Sequence, residues 1–136
     1  MDSSWVFGWK VGMKINLTIY GQIKSGKNKM QIARTGRHYP LKAWAEWRDN
    51  VVANLEVYVY QSGIKFPINE PCRVEALYWK GDRRRRDVPG MMDALWHCLE
   101  RAKIVTDDKL FEDVTWIMKG LDRKNPRVEI KIEMKV

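Results

Sequence analysis

The segment Gly81-Asp82-Arg83-Arg84-Arg85-Arg86-Asp87 sets four consecutive arginines between two aspartates, just ahead of a helix start at Pro89. Asp107 and Asp108 follow 20 and 21 residues after Asp87. Guanidinium groups at this density attract phosphate, and converging carboxylates can hold the divalent metal that hydrolyses it. Each feature also has a plainer meaning. An acid before a helix commonly caps it or complements its dipole. Paired acids in a loop commonly make a turn, and an arginine run can be a solvated edge that resists strand pairing. A helix of about fifteen residues spans roughly 22 Å, so Asp87 and Asp108 share a site only if the chain folds back toward the helix start.

The rest of the composition narrows the partners. The chain has 136 residues, 45% hydrophobic and 31% charged, which reads as one globular domain rather than a disordered chain. A formal net charge of +8 points to a polyanion. Cys72 and Cys98 make neither a disulfide framework nor a zinc motif, so a reducing, cytoplasmic setting is expected. No apolar run approaches the roughly 20 residues that span a bilayer, so no membrane partner is expected. Residues 1–12 lack a basic start and a long apolar centre and are read as an N-terminal extension, with the domain over 13–136.

Periodicity supplies the elements that would position these groups. Met13, Ile15, Leu17 and Ile19 alternate with polar residues, which predicts a half-buried strand over 13–20. A basic loop follows, carrying Lys24, Lys27, Lys29, Arg34 and Arg37, with a short strand at 30–32; it reads equally as solvated or as a flap over a phosphate backbone. Pro40 suits a first helical turn, and Leu41, Trp44, Val51, Val52, Leu55 and Tyr58 predict an amphipathic helix over about 40–60, ended by Ser62-Gly63. Residues 72–79 alternate as a second strand. Met91, Leu95, Cys98, Leu99 and Ala102 share one face of a helix from Pro89 to about Lys103. Strands are predicted over 111–118 and 127–136, joined by Gly120 and Asn125-Pro126 in the manner of a hairpin. The predicted class is α+β: one mixed sheet, order β-α-β-α-β-β, with two helices packed on one face.

The segment GDRRRRDVPGMMDALWHCLERAKIVTDD resembles the signature of the RusA Holliday junction resolvases. In that family an arginine-rich run leads into D-x-D-N-x-x-K on a helix, with a DD pair at the same distance as here. Trp47-Arg48-Asp49-Asn50-Val51 resembles the aromatic-RDNV stretch of the family's first helix. With the element order, the likeness covers residues 13–136. It implies a homodimeric endonuclease that cuts four-way, branched DNA with Mg²⁺, for which Mn²⁺ could substitute, in recombination and repair. By position, Asp87 matches the first motif aspartate, Asp108 the second residue of the DD pair, and Arg86 the last arginine of the run.

Three departures bear on the expected site. Pro89 stands at the second motif aspartate, Gly90 at the asparagine and Asp93 at the lysine. Positions 89 and 93 share a helix face one turn apart, so the carboxylate lost at 89 can be regained at 93. The expected metal cage is Asp87, Asp93 and Asp108, these three also catalytic, with Asp107 assisting; the plainer reading of Asp93 is a solvated helix acid. DNA contacts are expected from Arg83, Arg84, Arg85 and Arg86 and from Lys24, Lys27, Lys29 and Arg37. His97 lies four residues after Asp93, but Mg²⁺ prefers oxygen donors, so His97 reads as a surface histidine paired with Asp93. Trp96 borders the polar face of its helix and is the tryptophan expected to be exposed and able to stack on a base. No organic cofactor is needed. The alternative reading is a basic DNA-junction-binding module without catalytic activity, its acids serving as helix caps.

Overall fold

Alternating apolar residues build a five-stranded sheet in the order β1-β2-β7-β5-β6. Its strands are β1 (Trp5–Val6), β2 (Trp9–Tyr20), β5 (Cys72–Lys80), β6 (Phe111–Leu121) and β7 (Arg127–Lys135). A separate two-stranded ribbon pairs β3 (Met30–Ile32) with β4 (His38–Pro40), and the helices are α1 (Lys42–Ser62) and α2 (Val88–Arg101). The computed structural model describes residues 5–6, 9–24, 30–32, 38–40, 42–85 and 87–135. The class is α+β, and the long elements follow the predicted order strand, helix, strand, helix, strand, strand. Among the described residues, no helix is long and apolar enough to cross a membrane.

The chain divides into two compact units, one of Met1–Gln22, Asn69–Arg83 and Lys109–Val136, the other of Ile23–Ile68 and Arg84–Asp108. The first holds the sheet. β7 lies between β2 and β5 and is antiparallel to both, whereas β5 and β6 run parallel. Register aligns apolar side chains in rungs across the strands: Ile15, Ile132 and Val74; Leu17, Ile130 and Ala76; Ile19, Val128 and Tyr78. All nine are buried, as the period of two requires when one face is covered. β2 begins at Trp9 rather than at residue 13, and β1 pairs back onto it, so part of the expected N-terminal extension is strand.

The expected hairpin of the last two strands does not form, because β5 lies between β6 and β7. Their connection instead crosses the end of β5: Asp122 donates its N–H to the Lys80 carbonyl at 2.8 Å, and Gly21 donates to the Pro126 carbonyl at 2.7 Å. Arg127 fastens this crossing. Its Nη1 reaches Asp122 Oδ2 at 3.0 Å, its Nε reaches Glu129 Oε2 at 3.2 Å, and its guanidinium sits 4.0 Å over the Trp79 ring. Tyr78 donates its hydroxyl to Gln22 Oε1 at 2.8 Å while Gln22 Nε2 donates to Asp82 Oδ2 at 3.1 Å. The start of the arginine run is thereby tied to the sheet's end.

In the second unit α1 packs against α2. α1 buries Val51, Val52 and Leu55, and Gly63 at φ 70° follows it, a conformation that favours glycine. Pro40 closes β4 instead of opening this helix, which starts at Lys42. α2 buries Met91, Ala94, Leu95, Cys98 and Leu99 at three- and four-residue spacing. Leu95 and Leu99 are fully enclosed, and truncating either to alanine should cost about 2–5 kcal/mol.

Candidate active site

α2 begins with Val88 and Pro89, where a missing N–H costs nothing because first-turn donors have no partner inside the helix. Asp87 precedes them at φ −78°, ψ 98°, and its carbonyl accepts the Met91 N–H at 2.9 Å. Its exposed carboxylate makes no capping hydrogen bond, so the cap that the plainer reading assigns to it is made by backbone alone.

The other end of α2 carries the larger acidic group. Lys103 adopts φ 62°, a left-handed reversal usually left to glycine. Lys103 N–H bonds the Glu100 carbonyl at 3.0 Å and Ile104 N–H bonds the Leu99 carbonyl at 2.9 Å, while the Leu99 and Ile104 side chains are both fully buried. The reversed chain is then clamped to Ile68, whose N–H bonds the Ile104 carbonyl at 2.8 Å and whose carbonyl accepts the Thr106 N–H at 3.0 Å. This return brings Asp108 N–H to Glu100 Oε1 at 2.6 Å. Carboxylate oxygens of Glu100, Asp107 and Asp108 consequently lie within 4.8 Å of one another.

The neighbouring carboxylates oppose ionisation of Asp108. The Asp108 carboxyl is held above its ordinary range, first by burial, then by the Glu100 charge and by hydrogen bonding and charge from Asp107. Any cation entering the group relieves that opposition. An all-oxygen donor set suits Mg²⁺ or Mn²⁺ better than softer metals. Octahedral Mg²⁺ places opposed oxygens about 4.2 Å and adjacent ones about 3.0 Å apart, so the three side chains, with oxygens within 4.8 Å of one another, would draw inward around the ion. The residues fit such an ion.

The expected cage is therefore redrawn. Asp107 and Asp108 come together, but with Glu100, and neither Asp87 nor Asp93 belongs to the group. The cause is the helix itself. Thirteen residues separate Asp87 from Glu100, about 20 Å of helix rise, and the chain returns to the Glu100 end. Asp93 is exposed, two turns before Glu100 on the same stripe and about 10 Å away along the axis. Glu100 was not among the expected ligands, because the motif acids lie at the helix start and in the loop after the helix. A glutamate in the last turn, eight residues before Asp108, was the available signal.

Arg83, Arg84 and Arg85 are exposed in irregular chain before α2, and Asp82 precedes them. Lys24 is exposed, and its carbonyl accepts the Trp44 indole N–H at 3.2 Å, which anchors the start of the basic segment to α1. Arg86, Lys27, Lys29 and Arg37 lie outside the described residues. Trp44 also packs against His97 in a tilted contact, with ring centroids 5.9 Å apart, and receives Arg48 at 5.2 Å over its face. His97 thus packs on an aromatic ring where a pairing with Asp93 was expected. Burial, then Arg101 and Arg48, hold its imidazole below the ordinary histidine range. Trp96, expected at the surface, is 7% exposed and belongs to the core. Cys72 and Cys98 are buried free thiols, pushed up to about 11 and about 12 chiefly by burial, so neither is poised as a nucleophile.

Compared with known proteins, the chain matches no family model, and no curated protein matches it either.

Proposed function

We propose that the protein is a metal-dependent endodeoxyribonuclease acting on branched DNA, as its resemblance to the RusA resolvases implies. The observation that carries the catalytic half is the convergence of Glu100, Asp107 and Asp108 carboxylates within 4.8 Å, in a chain whose net charge is +8. These three residues would hold Mg²⁺, or Mn²⁺ in its place. Bound there, the ion would supply the positive charge that lowers the pKa of a water and offsets charge on the scissile phosphate. Glu100 has a second duty, because its carboxylate fixes the Asp108 backbone and so presets the spacing of the trio. Arg83, Arg84, Arg85 and Arg86, with Lys24 and the basic segment after it, would hold the phosphate backbone by charge-assisted hydrogen bonds. In-line attack would leave a 5′-phosphate and a 3′-hydroxyl. A two-fold homodimer would present one site to each of two symmetric strands, giving paired nicks in a four-way junction. The setting is a reducing cytoplasm, in keeping with two buried free thiols.

A labelled four-way junction incubated with Mg²⁺ or Mn²⁺ tests the reading. Paired nicks that vanish in Asp108→Asn are expected. Replacing Arg83 and Arg84 by alanine should lower the magnitude of the log–log salt slope of junction binding by about 1.8, at roughly 0.9 per phosphate contact. An unchanged slope removes the arginines from the interface. The second reading, a junction-binding module without catalysis, is favoured by one observation: Asp87, the residue matching the first motif acid, stands about a helix length from the trio. Tight junction binding with no nicks under either metal would establish it.

A further inference from the structure

β6 is one edge of the five-stranded sheet, and among the described residues it is bonded to β5 on one side only. Each buried rung continues onto it and there becomes exposed. Val114 lies beside Val74, Trp116 beside Ala76 and Met118 beside Tyr78. Yet Val114 is 37% exposed, Met118 and Ile117 are each 40% exposed, and Trp116 is half-buried. Natural edges are usually blunted by proline, by a bulge or by charge at their centre. The stretch Val114-Thr115-Trp116-Ile117-Met118 has neither charge nor proline, and its register with β5 shifts only beyond its ends.

We infer that β6 pairs antiparallel with β6 of a second copy of this chain, about a two-fold axis at Trp116. The symmetry is restrictive. Directly opposed residues of antiparallel strands point to the same face, and a two-fold normal to the sheet preserves faces. Opposed residue numbers must then sum to an even number, which leaves few registers. Centred on Trp116, Val114 opposes Met118, Thr115 opposes Ile117, and Phe111 opposes Leu121. At each rim Asp113 comes opposite the bulge made by Lys119 and Gly120, twice by symmetry, which sets an acid beside a base. Asp113 remains 47% exposed even while paired with Arg73 at 2.9 Å, so it can serve both cations. Centring on Thr115 instead sets Asp113 against Ile117 and Glu112 against Met118. Centring on Ile117 sets Glu112 against Asp122. Of these three registers, only the one centred on Trp116 avoids setting an acid against an apolar residue or another acid, and it brings Asp113 near Lys119. An acid at one end of a strand and a lysine at the other is a pattern that the second copy completes automatically.

The surface adds detail to the dimer of the proposed function but stands on the strand alone, and its test reads mass without DNA or metal. Sedimentation of the full chain over a concentration series should show a monomer–dimer equilibrium. Asp113→Lys sets two lysines against each other at both rims, and Lys119→Asp sets two aspartates there. Each variant should dimerise on the order of tenfold more weakly, because two attractions become two repulsions. Mixing the two variants restores both pairs, so a heterodimer should form with near wild-type affinity; that recovery also demonstrates that both variants fold. Trp116→Cys should link covalently on oxidation, because the two-fold sets this position against itself, while Val114→Cys should not. A wild-type chain that stays monomeric overturns the inference, as do single variants that dimerise undiminished or a mixture that does not recover. A dimer that never nicks a junction would overturn the nuclease and leave this surface standing.

Discussion

Substituting Glu100 separates holding a cation from shaping the loop. Its Oε1 accepts the Asp108 N–H at 2.6 Å, and its carboxylate belongs to the trio within 4.8 Å. Glu100→Gln keeps an acceptor for that N–H and removes one of three negative charges. Glu100→Ala removes both. Without metal, the glutamine variant should match the wild type in stability or exceed it slightly, because like-charge opposition at Asp108 is relieved. The alanine variant should lose about 1–1.5 kcal/mol, the low end for a hydrogen bond to a charged group at a part-exposed site. Metal separates them further. At a free concentration one hundred times Kd, binding adds about 2.7 kcal/mol of stability; a Kd tenfold weaker leaves about 1.4 kcal/mol at the same concentration. For a chain of this size that is a rise in Tm of roughly 10 °C falling to roughly 5 °C. Thermal unfolding with and without Mg²⁺ or Mn²⁺ provides the assay, with junction nicking as a second readout. A Glu100→Gln protein that keeps the full metal-induced rise and cuts at the wild-type rate would refute the reasoning.

Three other substitutions test the fold around the site. Lys103→Gly should stabilise the protein by about 0.5–1 kcal/mol in denaturant titrations, since glycine adopts φ 62° without the strain a side chain meets there. Gly81→Ala should cost about 1–3 kcal/mol, because its Cβ would lie 2.9 Å from Gln22 Nε2 and 3.1 Å from Pro126 Cγ; an undiminished denaturation midpoint would contradict that packing. His97 has a folded pKa below its unfolded value, so the unfolded chain binds more protons in the interval between them. Stability should therefore decline as pH falls below about 6.5, the unfolded histidine value, and His97→Gln should flatten that decline in melts between pH 5 and 7.5. For Asp108 the sign is the reverse. Its folded pKa is raised, so metal-free stability should fall as pH climbs from 3.8 through the raised value, and Asp108→Asn should remove that segment of the profile.

Periodicity carried most of the fold, because burial of one strand face or one helix stripe leaves a direct imprint on residue order. The rungs of β2, β5 and β7 are built from the alternating residues expected to face inward. Periodicity does not encode which strand lies beside which. β5 alternates as well as its neighbours do, so it accepts β7 on one side and β6 on the other, and the Gly120 and Asn125-Pro126 signals mark a break without fixing its topology. Pro40 was ambiguous for a similar reason. A fixed φ suits an opening helical turn or an edge strand that needs no N–H, and β4 took the second role.

The acidic site was within reach of a simple length argument. From Arg101 to Asp108 the chain has seven steps, at most about 24 Å when fully extended. α2 rises about 20 Å from Asp87 to Glu100. Bringing Asp108 beside Asp87 would therefore demand that most of this connection run back along the helix. Here the connection turns early instead, and the acid beside Asp108 is Glu100. The left-handed Lys103 supplies that turn immediately, and the Ile68 clamp uses up much of the remaining length. Motif spacing alone does not fix which end of the helix Asp108 approaches, because it counts residues without asking how far each can reach. The early turn at Lys103 and the clamp at Ile68 are what keep Asp107 and Asp108 at Glu100.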